Sequence, residues 1–178
     1  MIVVADTTPI NNLILIEEID VLPKLYGRVI IPPAVNEELM RSRAPLKVQE
    51  WMKQPPNWVE ILSPTVPIDA QLAKLDAGEL EAIALAEELS ADQLIIDELL
   101  GRREAERRSL PVIGTVGVLR EAAEMGLLDL RSAFERLRQT SFHISPAILA
   151  SLLSECHRLP FNSSSSFCEK TRSRSLMA

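Results

Sequence analysis

Ile2-Val3-Val4-Ala5-Asp6-Thr7-Thr8-Pro9 decides how the rest of the chain is read. Four small or apolar residues run straight into one carboxylate. Ile and Val are β-branched and stiff at χ1, and such a run suits a strand buried on both faces. Asp6 falls where that strand ends. Thr7 or Thr8 can cap the helix that follows, and Pro9 fits its first turn. In an open parallel sheet, ligands bind just beyond the carboxyl ends of the strands, which puts Asp6 at the mouth of a site. The plainer alternative makes Asp6 itself a helix cap. On this stretch alone the two readings are level.

Outward from it, strand and helix patterns alternate. Asn11–Ile16 continues the first helix, and a short second helix over Ile19–Tyr26 stops at Gly27. Arg28–Ile31 reads as a strand. Pro32-Pro33 breaks it and opens a helix over Ala34–Met40. Pro45–Met52 is a further helix, Trp58–Leu62 a short strand, and Asp69–Leu75 one or two helical turns. Gly78–Leu89 is the best amphipathic helix. Leu94–Ile96 is a buried strand ending in Asp97-Glu98, and a charged helix covers Leu99–Ser109. Pro111–Ile113 is a short strand, and Thr115 can cap a helix over Val116–Met125 that Gly126 stops. Helices over Leu127–Gln139 and from Ser145 to about His157 follow. This alternation predicts an α/β domain with a parallel sheet. From Pro160 the chain turns serine-rich without an apolar face. The expected organisation is one domain over residues 1–159 and a disordered Ser-rich tail over 160–178.

The bulk numbers bound the function. With 178 residues the chain can bury a sizeable core, and its net charge of −6 argues against a broad electrostatic grip on nucleic acid. Any such binding must be local or metal-mediated. No apolar run is long enough to span a bilayer and no signal peptide is evident. Cys156 and Cys168 have no metal-finger spacing, and a reducing, cytoplasmic setting is expected.

The chemistry is carried by acids where apolar residues belong. Advancing 100° per residue from Gly78 puts Ala82, Ile83, Ala86 and Leu89 on one face with Glu79 in its middle, and Glu81 and Glu88 opposite, toward solvent. Taken alone, Glu79 is a first-turn acid stabilised by the helix dipole. On the helix from Pro33, Glu38 leans toward the Val35–Leu39 side and Glu37 points away; an ordinary surface glutamate is the alternative. Asp97 repeats the logic of Asp6, a carboxylate at a strand end, with a helix cap again the plainer account. Asp6, Glu38, Glu79 and Asp97 come from four strand-to-helix regions that a parallel sheet can bring to one edge. Such acids raise each other's pKa values, and a divalent cation removes the penalty; hard oxygen donors suit Mg²⁺ or Mn²⁺. A site of that kind activates water and stabilises a phosphoryl transition state.

VVADTTP, IPPAVNEEL, DAGELEAIALA, LIIDE and PVIGTVGVL, in that order from Ile2 to about Leu119, resemble the PIN-domain family, found among toxins of prokaryotic toxin–antitoxin pairs. The resemblance implies a three-layer α/β/α PIN-like fold and a Mg²⁺- or Mn²⁺-dependent ribonuclease. Its acidic quartet maps to Asp6, Glu38, Glu79 and Asp97, as catalytic residues and metal ligands, with Thr7, Thr8 and Thr115 as polar support. RNA is the implied substrate, with an antitoxin protein as a candidate partner, a homo-oligomer as a candidate state, and no membrane. The third acid is a glutamate here where many relatives carry aspartate.

Other features have plainer accounts. Arg102, Arg103, Arg107 and Arg108 could meet RNA phosphates, but Glu104 and Glu106 can pair with them on a solvated face. Trp51 and Trp58 read as packing residues, and His143 and His157 have no ligand pattern. Two other functions compete with the nuclease. One is phosphoryl transfer with Asp6 as nucleophile, as in haloacid-dehalogenase-like phosphatases; that chemistry wants a second Asp two residues on, where Thr8 stands. The other is a PIN-like module that binds RNA or protein without cutting.

Overall fold

The computed structural model describes residues 1–67, 69 and 74–142. The strands are β1 (Val3–Ala5), β2 (Val29–Ile31), β3 (Val59–Ile61), β4 (Gln93–Ile95) and β5 (Val112–Ile113). They form one sheet in the order β3-β2-β1-β4-β5, with every pairing parallel. The chain begins in the centre of its own sheet. Val4 stands opposite Ile30 on one side and Leu94 on the other.

Helices cover both faces, as the unbroken apolar run at residues 2–5 requires. Val3 and Ala5 face one core, shared with residues of α1 (Thr7–Leu15), α2 (Val21–Tyr26), α3 (Pro33–Met40), α4 (Leu46–Met52), α7 (Thr115–Glu124) and α8 (Leu130–Leu137). Val4 faces the other core, shared with α5 (Ala77–Glu88) and α6 (Leu99–Arg107). The period-2 alternation of a strand divides three consecutive residues between two helical layers. The result is a three-layer α/β/α sandwich. Trp51 and Trp58 pack against the first core with ring centroids 5.8 Å apart. No helix among the described residues is long and apolar enough to cross a membrane.

Several boundaries move for identifiable reasons. The helix expected over 127–139 shortens to α8. Gly126 adopts a left-handed φ of 70°, and the amides of Gly126 and Leu127 donate back to Ala123 and Ala122, so Leu127 closes α7. Asp129 then caps α8 by accepting from the Ser132 amide at 2.8 Å. None of the threonines named as possible caps occupies that position. Asp6 stands at the N-cap of α1 and Gly114 at that of α7, and the Thr7 and Thr115 hydroxyls are used elsewhere. The expected helix from Ser145, both histidines and cysteines, most of the expected turns at 69–75 and the serine-rich tail lie outside the described residues.

Candidate active site

The carboxyl ends of β1 and β4, with the helices that follow β2, β3, β4 and β5, enclose the predicted acids. Asp6 is only 2% exposed, and its amide donates to the Ile95 carbonyl at 2.9 Å, extending the β1–β4 pairing by one residue. Its side chain makes no capping bond although it stands at the N-cap. Oδ1 is buried and has no hydrogen-bond partner. Burial pushes the Asp6 pKa up to about 8; the Thr7 amide pulls the other way, and the negative charges of Asp76, Glu79 and Glu38 add to the rise.

Thr7 and Glu38 complete one arm of the site. The Thr7 hydroxyl donates to Glu38 Oε2 at 2.6 Å, and the Arg41 guanidinium lies 3.8 Å from Glu38 Oε1. Glu37, one residue earlier, is exposed, so the helix phase sorts the pair as the apolar pattern predicts. Gly78, at the start of α5, is the floor beneath these groups. A Cβ there would meet Glu38 Oε2 and Thr7 Oγ1 at 2.9 Å and Asp6 Oδ1 at 3.1 Å. Three oxygens thus converge on a point that only glycine leaves open.

Glu79 is 5% exposed. Asp76 and Glu79 form a capping box: Asp76 Oδ1 accepts from the Glu79 amide at 2.9 Å, and Glu79 Oε2 accepts from the Asp76 amide at 3.3 Å. Glu79 Oε1 is buried without a partner and faces Gly101 of α6, where a Cβ would lie 2.6 Å away. Burial raises the Glu79 pKa, and the charge of Asp76 adds to it. Glu81 does not point to open solvent as its helix phase predicts. It is half-buried, and its Oε2 accepts from the Ala34 amide at 2.9 Å, tying α5 to the first turn of α3.

Asp97 forms a separate arm. Thr115 donates from its amide to Oδ1 at 2.7 Å and from its hydroxyl to Oδ2 at 2.6 Å, and Asn12 Nδ2 reaches Oδ2 at 3.4 Å. Burial raises the Asp97 pKa, while Thr115, Asn12 and the nearby Arg102 act against that rise. Arg102 Nη1 donates to the Ile96 carbonyl at 3.1 Å, and Arg103 is exposed. Arg107 and Arg108 are committed to structure instead. Arg107 binds Glu104, and Arg108, with its side chain 8% exposed, ties together Asp69, Glu87 and Glu104 at 2.7 Å each. Thr8 is half-buried on α1.

The structure therefore brings Asp6, Glu38 and Thr7 together and sets Glu79 close enough to Asp6 for their charges to interact. It holds Asp97 on its own hydrogen bonds. Among the described residues no three acidic, histidine or cysteine side chains close around one point as a finished cation cage. Arg41, Asn12 and Asp76 escaped the sequence reading. Asn12 is a buried amide among Pro9, Ile10, Leu13 and Ile14 on α1, the same signal that singles out Glu79. Asp76, three residues before Glu79, is a capping-box spacing.

A family model, DUF3368, described as a PIN domain, matches residues 2–158. The chain belongs to the PIN-domain family, whose fold is nuclease-like. No curated protein matches it.

Gly78→Ala tests the cradle. The atoms a Cβ would meet are flexible side-chain ends, so the fold should lose no more than about 1–3 kcal/mol, the range for modest overpacking. Bound cation should be lost disproportionately. A thermal shift with Mn²⁺ equal to that of the wild type would show that the convergence over Gly78 is incidental.

Proposed function

We propose that this chain is a Mg²⁺- or Mn²⁺-dependent endoribonuclease acting on single-stranded or looped RNA, the toxin of a toxin–antitoxin pair working in the cytoplasm. The observation that carries the reading is the unpartnered, buried Asp6 Oδ1 beside Glu38 Oε2 and Thr7 Oγ1 over Gly78. An orphaned buried carboxylate oxygen is costly unless something charged completes it. The donors are all hard oxygens, which suit Mg²⁺ or Mn²⁺.

Asp6, Glu38, Glu79 and Asp97 would hold the ion, which when bound lowers the pKa of water and offsets charge on the phosphate. The chain's own groups set the rest. The Thr7 hydroxyl fixes the orientation of Glu38, and Thr115 and Asn12 fix that of Asp97. Glu79, inward-facing and with its pKa raised by burial, is the acid assigned to accept the proton of the attacking water. In-line displacement then needs only that the scissile phosphate sit against this edge of the sheet.

The test is cleavage of a single-stranded RNA by the purified chain with Mg²⁺ or Mn²⁺ against chelator. Absence of divalent-dependent cleavage would instead favour a non-cutting RNA- or protein-binding module. The separateness of Asp97 from the Asp6 arm is the one observation on that side.

Neighbouring acids give a sharper check. Glu79→Gln should abolish cleavage, whereas Glu81→Gln should keep it and lose no more than about 1.5–3 kcal/mol of stability, the range for a hydrogen bond to a charged group. Glu38→Gln should likewise impair cleavage far more than Glu37→Gln. Equal effects within either pair would count against the inward-facing acids as the reacting set.

A further inference from the structure

We propose, resting on the nuclease reading, that Arg41 and Arg102 form a two-sided clamp on a single-stranded RNA backbone as it crosses the carboxyl edge of the sheet. A net charge of −6 leaves no room for a general attraction to phosphate, so the grip must come from a few placed cations. Several arginines are turned to other acids: Arg28 to Glu60, Arg107 to Glu104, Arg108 to three carboxylates, Arg136 to Glu18. Two lie against acids of the candidate site. Arg41, at the end of α3, is 3.8 Å from Glu38 and 41% exposed at its side chain. Arg102, on α6, is half-buried against the Ile96 carbonyl and close enough to Asp97 to act on its charge.

Their placement follows from the sheet order. α3 leaves β2 and α6 leaves β4, and these two strands flank β1. Arg41, beside Glu38, therefore belongs to the β2 side of Asp6, and Arg102, donating to the Ile96 carbonyl, to the β4 side. Two strand spacings, from β2 across β1 to β4, are about 10 Å. An RNA strand crossing that distance places one phosphate over Asp6 and its neighbours toward the two guanidiniums. Phosphates approaching four carboxylates are repelled, and a guanidinium at each flank offsets this where the neighbours sit. Asp6 is buried, so the central phosphate must dip below its neighbours. A flexible single strand can do so; a regular duplex backbone cannot.

The experiment measures binding of a fluorescently labelled oligouridylate by anisotropy, in chelator to prevent cutting, across a salt series. Arg41→Gln and Arg102→Gln should each weaken binding roughly tenfold and lower the salt slope by about 0.7, the value for one single-strand phosphate contact. Arg102→Lys, which keeps the charge, should retain the slope. Arg28→Gln, at the opposite end of β2, should leave both quantities unchanged. Unchanged affinity and slope in both Gln variants, or an equal loss in Arg28→Gln, overturns the clamp. So does duplex RNA bound as tightly with the same losses, or no binding of oligouridylate by the wild type. If the wild type cleaves RNA with Mn²⁺ while the Gln variants bind normally, only the clamp fails. If it neither binds nor cleaves, the nuclease reading fails with it.

Discussion

Asp6→Asn is expected to fold, to be more stable than the wild type at pH 8 in chelator, and to lose cleavage by on the order of 10³-fold. The activity loss follows because a metal's charge stabilisation is worth several kcal/mol and each ~1.4 kcal/mol is a factor of ten. The stability gain follows from burial. Asp6 has its pKa raised from 3.8 to about 8, so between those values the folded chain holds a proton that the unfolded chain releases. Stability of the metal-free protein therefore falls as pH rises through that window, by up to several kcal/mol at ~1.4 kcal/mol per unit. Glu79 and Asp97, also raised by burial, push the same way. Asparagine has no charge to desolvate. Denaturation in chelator at pH 5 and pH 8 should show a steep fall for the wild type and a shallower one for Asp6→Asn. Equal slopes would mean that Asp6 ionises without cost. Cleavage within tenfold of the wild type would remove Asp6 from the site.

Mn²⁺ or Mg²⁺ should raise the melting temperature of the wild type by about 5–10 °C at a hundredfold excess over the dissociation constant. That excess stabilises by about 2.7 kcal/mol when only the folded state binds, and a domain of this length moves 2–4 °C per kcal/mol. The gain should depend on pH. Around neutrality Asp6 still carries a proton that the cation must displace, so the shift should grow from pH 6 to pH 8 and vanish at pH 4–5. Asp6→Asn and Glu79→Gln should respond less. A wild-type melting temperature indifferent to millimolar Mn²⁺ at pH 8 would contradict a shared acidic cation site.

What the sequence discloses, and where it stops, follows the range of each interaction. The central strand is readable in the apolar run at residues 2–5 because Val3, Val4 and Ala5 are buried, on alternating faces of the sheet, and leave no polar alternation. Asp6 is readable because it ends that run. Glu79 and Glu38 are separable from Glu81 and Glu37 by helix phase, and the burial of Glu79 and the exposure of Glu37 follow that phase. Phase alone fails for Glu81, because its partner is the Ala34 amide, supplied by a helix 47 residues away in sequence. The threonines fail for a related reason. A hydroxyl beside a helix start reads as a cap, yet Thr7 and Thr115 answer to Glu38 and Asp97, partners contributed by other elements. Among the four arginines of α6, composition cannot choose. The fold commits Arg108 to three carboxylates and leaves Arg102 beside Asp97.

The position of β1 has a consequence for synthesis. Strand β1 is made before the other four strands of its sheet yet takes its centre, and one of its partners, β4, begins only at Gln93. Asp97 and the Thr115 that holds it come later still. Contacts so distant along the chain form late, because the loops between them must first close. A nascent chain thus carries Asp6 without Asp97 beside it until β4 and the residues after it have been made. The four acids therefore become one set only after the segment carrying Asp97 and Thr115 has been made.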